Sequence, residues 1–139
     1  MNYSEEFVSA KSGKHVVDSN GWIAYIEDDG KRADLVESVL LDTENLIVPT
    51  IVFFEVFKFM ERKYDAQKAC QVGFMMKKAH IVDLDFVLAF QAADLSLDYG
   101  LSMADAMILA VARAYRARLH TFDSHFAKVS GVNYLGDLG

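Results

Sequence analysis

Apolar residues fall along this chain in two alternating patterns: short unbroken runs, and longer stretches in which they recur every three or four positions. His15, Val16 and Val17 open the first run, closed by Asp18, Ser19 and Asn20, residue types that favour helix N-caps. This predicts a strand at 15–18 feeding a helix over 21–27. Asp28, Asp29 and Gly30 break the pattern, and Ala33, Val36, Val39 and Leu40 then recur at helical spacing to predict a second helix. Leu46, Ile47 and Val48 predict a second strand, stopped by Pro49, which is tolerated in the first turn of the long apolar helix expected over 50–63. Further along, the pattern predicts an amphipathic helix over 66–78, a third strand at 80–82, and a helix over 86–98 ended by Gly100. A helix over 103–116 capped by Ser102, a fourth strand at 118–122 and a short fifth at 132–134 complete the series.

Strands alternating with helices imply parallel pairing through crossovers, with helices on both faces of the sheet. The expected fold is therefore a three-layer α/β/α domain with a mostly parallel sheet of four to five strands. A chain of 139 residues can bury one core but hardly two. We expect a polar N-terminal extension over 1–14, followed by a single domain over 15–139. In open sheets of this kind the binding crevice lies beyond the carboxyl ends of the strands.

Composition narrows the setting. No apolar run reaches the roughly 18 residues that a membrane span needs, and Cys70 is the lone cysteine, so the expectation is no membrane association and a reducing, cytoplasmic location. The formal net charge of −6 argues against a generic nucleic-acid coat, because such binding draws on dense Lys and Arg. It does not exclude a nuclease, whose active site concentrates carboxylates that divalent ions then offset.

Four acids stand at the ends or in the midst of apolar segments: Asp18, Glu55, Asp105 and Asp123. In the predicted fold all four converge on one edge of the sheet. Each has a plainer explanation when taken alone. Asp18 and Asp123 fit helix or turn caps, and Asp105 lies at capping-box distance from Ser102. Glu55 is flanked by Ile51, Val52, Phe53, Phe54, Val56 and Phe57, so its carboxylate needs a cation, either Lys58 or Arg62 on its own helix or a shared metal. The joint arrangement, rather than any one residue, carries the functional argument.

The order of these segments resembles a known family. Val17-Asp18-Ser19-Asn20, then Val48-Pro49 with Glu55 and Lys58 on the next helix, then Ser102-Met103-Ala104-Asp105-Ala106, then Thr121-Phe122-Asp123-Ser124-His125-Phe126, is similar to a PIN domain. Within it the likeness is greatest to the VapC-type toxins of toxin–antitoxin pairs. The resemblance implies a metal-dependent ribonuclease with Asp18, Glu55, Asp105 and Asp123 in the acidic pocket and the Ser19 hydroxyl beside it. It also implies a homodimer and inhibition by a cognate antitoxin. The chain departs from the pattern in its polar N-terminal stretch, and in having Ser124 and His125 where some members carry a further acid.

The residue chemistry is consistent with that assignment. Hard ions such as Mg²⁺ or Mn²⁺ favour carboxylate oxygens and are held by one or two direct carboxylates. We expect Asp18 and Asp105 as direct ligands, Asp123 completing the site or holding a water, and Glu55 orienting or deprotonating the attacking water. Crowded like charges should raise one another's pKa values. Lys58 is the first choice for a phosphate contact, followed by Arg62, Lys63, Arg113, Arg116 and Arg118. Competing readings are a phosphoacceptor receiver, which needs an acidic pair after strand one, a dehalogenase-like phosphatase, which needs an acid where Asn20 stands, and a non-catalytic PIN-like binding module. The apolar excess over 53–60 and 72–76 fits either core or a partner-binding surface.

Overall fold

The structure, a computed structural model, describes residues 13–138. The N-terminal extension expected over 1–14 therefore lies almost wholly outside the described residues. Five strands, β1 (His15–Val17), β2 (Leu46–Pro49), β3 (His80–Val82), β4 (Arg118–Thr121) and β5 (Val132–Tyr134), form one sheet in the order β3-β2-β1-β4-β5. Every pairing is parallel. The central strands read as unbroken apolar runs because both their faces are covered: Val16, Val17, Leu46, Ile47, Val48 and Leu119 are all buried.

Six helices are described: α1 (Ser19–Ile26), α2 (Gly30–Leu41), α3 (Thr50–Lys63), α4 (Ala66–Met76), α5 (Phe86–Tyr99) and α6 (Met103–Ala114). They pack as the neighbouring pairs α1 with α2, α3 with α4, and α5 with α6. The result is the expected three-layer α/β/α architecture. α3 turns Val52, Val56 and Met60 into the core, one residue every four, whereas α6 buries Ala106 and every residue from Ile108 to Ala112. A helix buried nearly all round belongs at the centre of a fold, and α6 meets β2, β4, α3 and α5. α5 ends where Gly100 adopts a left-handed conformation at φ 67°, as the sequence signal requires.

The boundaries differ from the pattern by only a few residues. α1 begins at Ser19 because Asp18 caps it directly, and α4 and α6 stop at Met76 and Ala114, short of the expected ends at 78 and 116. No single helix among the described residues is long and apolar enough to cross a membrane. The apolar excess noted over 53–60 and 72–76 divides between the two expected destinations. Val56, Met60, Val72 and Met76 are core, while Phe54 and Phe74 face solvent. α5 adds a further exposed apolar stripe in Phe86, Phe90 and Leu97.

Chain direction sets the place of any site. β1 leads through α1 and α2 to β2 on one side, whereas β4 returns on its other side. The carboxyl ends of β1 and β4 thus flank the point where strand order reverses, which in open α/β sheets is where a crevice opens.

A buried polar chain ties β5, β4 and β1 together. Asn133 Nδ2 lies 3.0 Å from His120 Nδ1, and His120 Nε2 lies 2.9 Å from His15 Nδ1. An amide nitrogen only donates, so His120 Nδ1 accepts and its Nε2–H donates to His15. Burial, helped by the neighbouring His15 and Arg118, pushes the His120 pKa down to about 3, and burial lowers that of His15 as well. Between the ordinary value of 6.5 and about 3 the unfolded chain binds a proton that the folded chain refuses. This contribution is therefore complete above 6.5 and is lost as pH falls through that window. Replacing His120 with Gln should flatten the loss of thermal stability on acidification by up to about 1.4 kcal/mol per pH unit. A melting series in which the variant loses stability with acid as steeply as the parent would overturn this assignment.

Candidate active site

Asp18 follows the last residue of β1, and its backbone N–H still donates to the carbonyl of His120 on β4. Its carboxylate is therefore held where the sheet ends, only 4 % exposed. One oxygen, Oδ1, accepts the Gly21 N–H at 2.9 Å and so caps α1. The other, Oδ2, accepts a short hydrogen bond from the Thr121 hydroxyl. Gly21 has no room for a side chain: a Cβ there would overlap Val17 Cγ1 and crowd Asp18 Oδ1 at 3.3 Å. The tight turn from strand to helix, and with it the place of Asp18, depends on that glycine.

Thr121 ends β4 and joins two of the acids. Its Oγ1 donates to Asp18 and accepts the backbone N–H of Asp123 at 2.9 Å. Asp123 in turn caps the 3-10 turn Ser124–Phe126, its Oδ1 accepting the His125 N–H at 2.8 Å and lying 2.9 Å from His125 Nδ1. Asp105 stands in the first turn of α6, whose cap is the Ser102 hydroxyl. Glu55, in the second turn of α3, accepts a hydrogen bond of 2.6 Å from the Ser19 hydroxyl.

The four expected acids are thus brought together. Burial is the main cause that pushes Asp18 up to about 6, with the charges of Asp105 and Asp123 adding to it and the bonds from Thr121 and Gly21 opposing it. Burial likewise pushes Asp105 up to about 6, followed by the charge of Asp123 and then by Glu55. Mutual repulsion was the cause expected from the sequence; loss of water is the larger one. The plainer cap explanations also hold, since Asp18 and Asp123 do cap their helix and turn.

Donor atoms of Asp105, Asp123 and His125 lie within 4.8 Å of one another, while both oxygens of the expected ligand Asp18 accept hydrogen bonds, from Gly21 and Thr121. Lys58 is exposed and extends over the Phe54 ring at 5.8 Å, in a shallow groove with Phe57, Glu61 and Arg62. Ser19, by contrast, is buried and bonded to Glu55. The carboxylates with one imidazole form a donor set that fits a divalent cation.

Three residues escaped the sequence reading as parts of the site. Thr121 was visible as a hydroxyl closing an apolar strand next to an acid. His125 sits two positions after Asp123, an offset that in a tight turn returns the side chain to the same side. Arg32 left no signal: its guanidinium lies 4.4 Å over the Phe122 ring, one residue from Asp123, and it lines a cavity of about 500 Å³ with Asn20, Ile23, Glu27 and Lys63. On the far side of that cavity Glu27, which caps the end of α1, accepts from Lys63 and Tyr64 at the end of α3. α1 and α3 are therefore tied at both ends, by Ser19 to Glu55 and by Glu27 to Lys63.

Solved structures share this architecture. The chain superposes on a toxin–antitoxin complex from Klebsiella pneumoniae with a TM-score of 0.72 at 22% identity, covering 86% of this chain and 95% of that one. DNA-bound VapBC from Salmonella typhimurium gives 0.72 at 17% identity, with 88% and 96% covered. VapC20 of Mycobacterium tuberculosis, described as a sarcin–ricin loop cleaving toxin, gives 0.72 at 16%, with 86% and 98% covered. At such identities the likeness is one of fold. Comparison with curated protein sequences finds no match. The PIN domain family matches residues 15–132, a span that runs from β1 into β5 and contains all four acids, and the chain belongs to that family.

Proposed function

We propose that this protein is a metal-dependent endoribonuclease, the VapC-type toxin of a toxin–antitoxin pair, with Mg²⁺ or Mn²⁺ as its cofactor. The observation that carries this reading is the gathering of Asp18, Glu55, Asp105 and Asp123 from four distant segments, with two of them pushed up to about 6. Carboxylates gathered with their pKa values raised in this way are a mark of function rather than of stability. Structural neighbours described as toxin–antitoxin complexes support the same reading.

Asp105 and Asp123 would hold the cation, with Asp18 beside them. A bound divalent ion offsets charge on the phosphoryl oxygens and lowers the pKa of water. Glu55 accepts the proton of the attacking water, and the Ser19 hydroxyl fixes which oxygen of Glu55 is free to do so. Thr121 holds Asp18 and the Asp123 backbone in register. Arg32 and Asn20, which line a cavity together with Lys63 and the acids Glu27, Asp28 and Asp29, offer donors to an RNA phosphate, and Lys58 lies further along α3. A purely binding PIN-like module would gain nothing from buried, destabilised carboxylates. A dehalogenase-like phosphatase lacks its second acid at Asn20.

The partner reading has its own support. Phe86 and Leu97 on α5 are each 84% exposed and Phe90 is 66% exposed, a stripe of the kind that marks association. Homodimerisation and capture by a cognate antitoxin would cover such surfaces. Sedimentation at micromolar concentration should give twice the chain mass; a single-chain mass would remove the homodimer from the proposal.

Asp105→Asn should reduce RNA cleavage by more than the roughly 100-fold that loss of an outer partner costs metal sites. Between 3.8 and about 6 the folded, metal-free protein binds protons that the unfolded chain releases, so stability falls as pH rises through that window and stays lower above it. The metal-free Asp105→Asn protein should accordingly melt no lower than the parent at about pH 7. Cleavage at the parental rate, measured on total RNA with Mg²⁺, Mn²⁺ or chelator, would reject the assignment. Thr121→Val removes the bridge between Asp18 and Asp123 and one of the two donors to buried Asp18, so in protein shown by its melting transition to be folded, cleavage should drop roughly 10- to 100-fold while Mg²⁺ still supports it. Unaltered kinetics in that variant would show the bridge to be incidental.

A further inference from the structure

The PIN-like acids are expected to take a hard cation through oxygen, yet among the described residues a donor set that could hold one contains a nitrogen. His125 lies in the 3-10 turn Ser124–Phe126, whose position is fixed at both ends. Asp123 caps the turn through the His125 N–H at 2.8 Å, and the next residue, Phe126, is completely buried. The backbone therefore delivers the imidazole to the acids, while its side chain stays 74% exposed. His125 Nδ1 is 2.9 Å from Asp123 Oδ1, and the donor atoms of Asp105, Asp123 and His125 all lie within 4.8 Å of one another.

Two adjacent ligands on an octahedral ion with bonds near 2.1 Å stand about 3 Å apart, and opposite ligands about 4.2 Å. Donor atoms within 4.8 Å of one another are near enough for the three side chains to close on one shared ion. An exposed ion pair between a protonated His125 and Asp123 would account for the 2.9 Å contact, and a proton shared between Asp105 and Asp123 for the approach of Asp105, but such exposed pairs contribute little, whereas one shared ion satisfies all three side chains together. Imidazole nitrogen is a good ligand for Mn²⁺, Fe²⁺, Co²⁺ and Zn²⁺ and a poor one for Mg²⁺, which prefers oxygen and keeps its waters.

We propose that His125 is a nitrogen ligand of the cation site and biases it toward Mn²⁺ and later transition ions over Mg²⁺. This rests on the reading of Asp105 and Asp123 as metal-holding residues. The test uses the whole chain and His125→Gln, whose exposed position leaves folding undisturbed. Calorimetric titration with MnCl₂ and MgCl₂ should show Mn²⁺ affinity falling about tenfold or more in the variant, with Mg²⁺ affinity changed less than about twofold. Pulsed electron paramagnetic resonance of the Mn²⁺-loaded protein should show coupling to a ¹⁴N nucleus that disappears in His125→Gln. Mn²⁺ bound without nitrogen coupling, or equal losses for both ions, would overturn the role of His125 while leaving the metal site standing. No binding of either ion, together with RNA cleavage that persists in chelator, would remove the metal site itself.

Discussion

The arrangement depends on one buried carboxylate. Asp18 sits where β1 gives way to α1, at the point where strand order reverses, and is almost without water. Such a group survives in a folded protein only if its oxygens find donors. The two it has come from different directions, the Gly21 amide on its own turn and the Thr121 hydroxyl on the adjacent strand. Because Thr121 also receives the Asp123 amide, satisfying Asp18 fixes the loop after β4 as well. The cost is visible in the upward displacement of its pKa, and a divalent ion binding nearby would offset it.

This geometry explains why an acidic protein can still serve as a nuclease. Its negative charge is not spread evenly as a barrier to RNA; part of it is drawn into one crevice, where loss of water raises the pKa values of Asp18 and Asp105, a charge that a bound cation would offset. Arg32 lies beside that crevice, stacked on Phe122. On β1, β4 and β5 the histidine chain works in the opposite sense, since its neutrality is favoured by burial. Acid therefore loosens one part of the sheet while relieving another.

Much of this was legible in the sequence, for identifiable reasons. Unbroken apolar runs gave the strands, because parallel strands are covered on both faces, and the 3.6-residue spacing gave the helices. The four acids were readable because each interrupts a pattern that otherwise has no place for charge. What the sequence could not disclose were relations set by packing across the chain. Nothing local to Arg32 announces that it lies over Phe122, and nothing near Lys58 says that it turns toward Phe54. Glu55 was expected to answer a cation, and nothing near it announced the hydrogen bond that it also accepts from the Ser19 hydroxyl, thirty-six positions away. The place of His125 beside the acids was hidden for the same reason, since only the folded turn shows which side its imidazole takes.

The double tie between α1 and α3 has a consequence of its own. Ser19 and Glu55 join the helices at one end, and Glu27 joins Lys63 and Tyr64 at the other, with a core of apolar contacts between. The far tie is an exposed ion pair and adds little by itself, so the bond from the buried Ser19 sets which way the Glu55 carboxylate turns, and a carboxylate so held would meet any reaction already oriented.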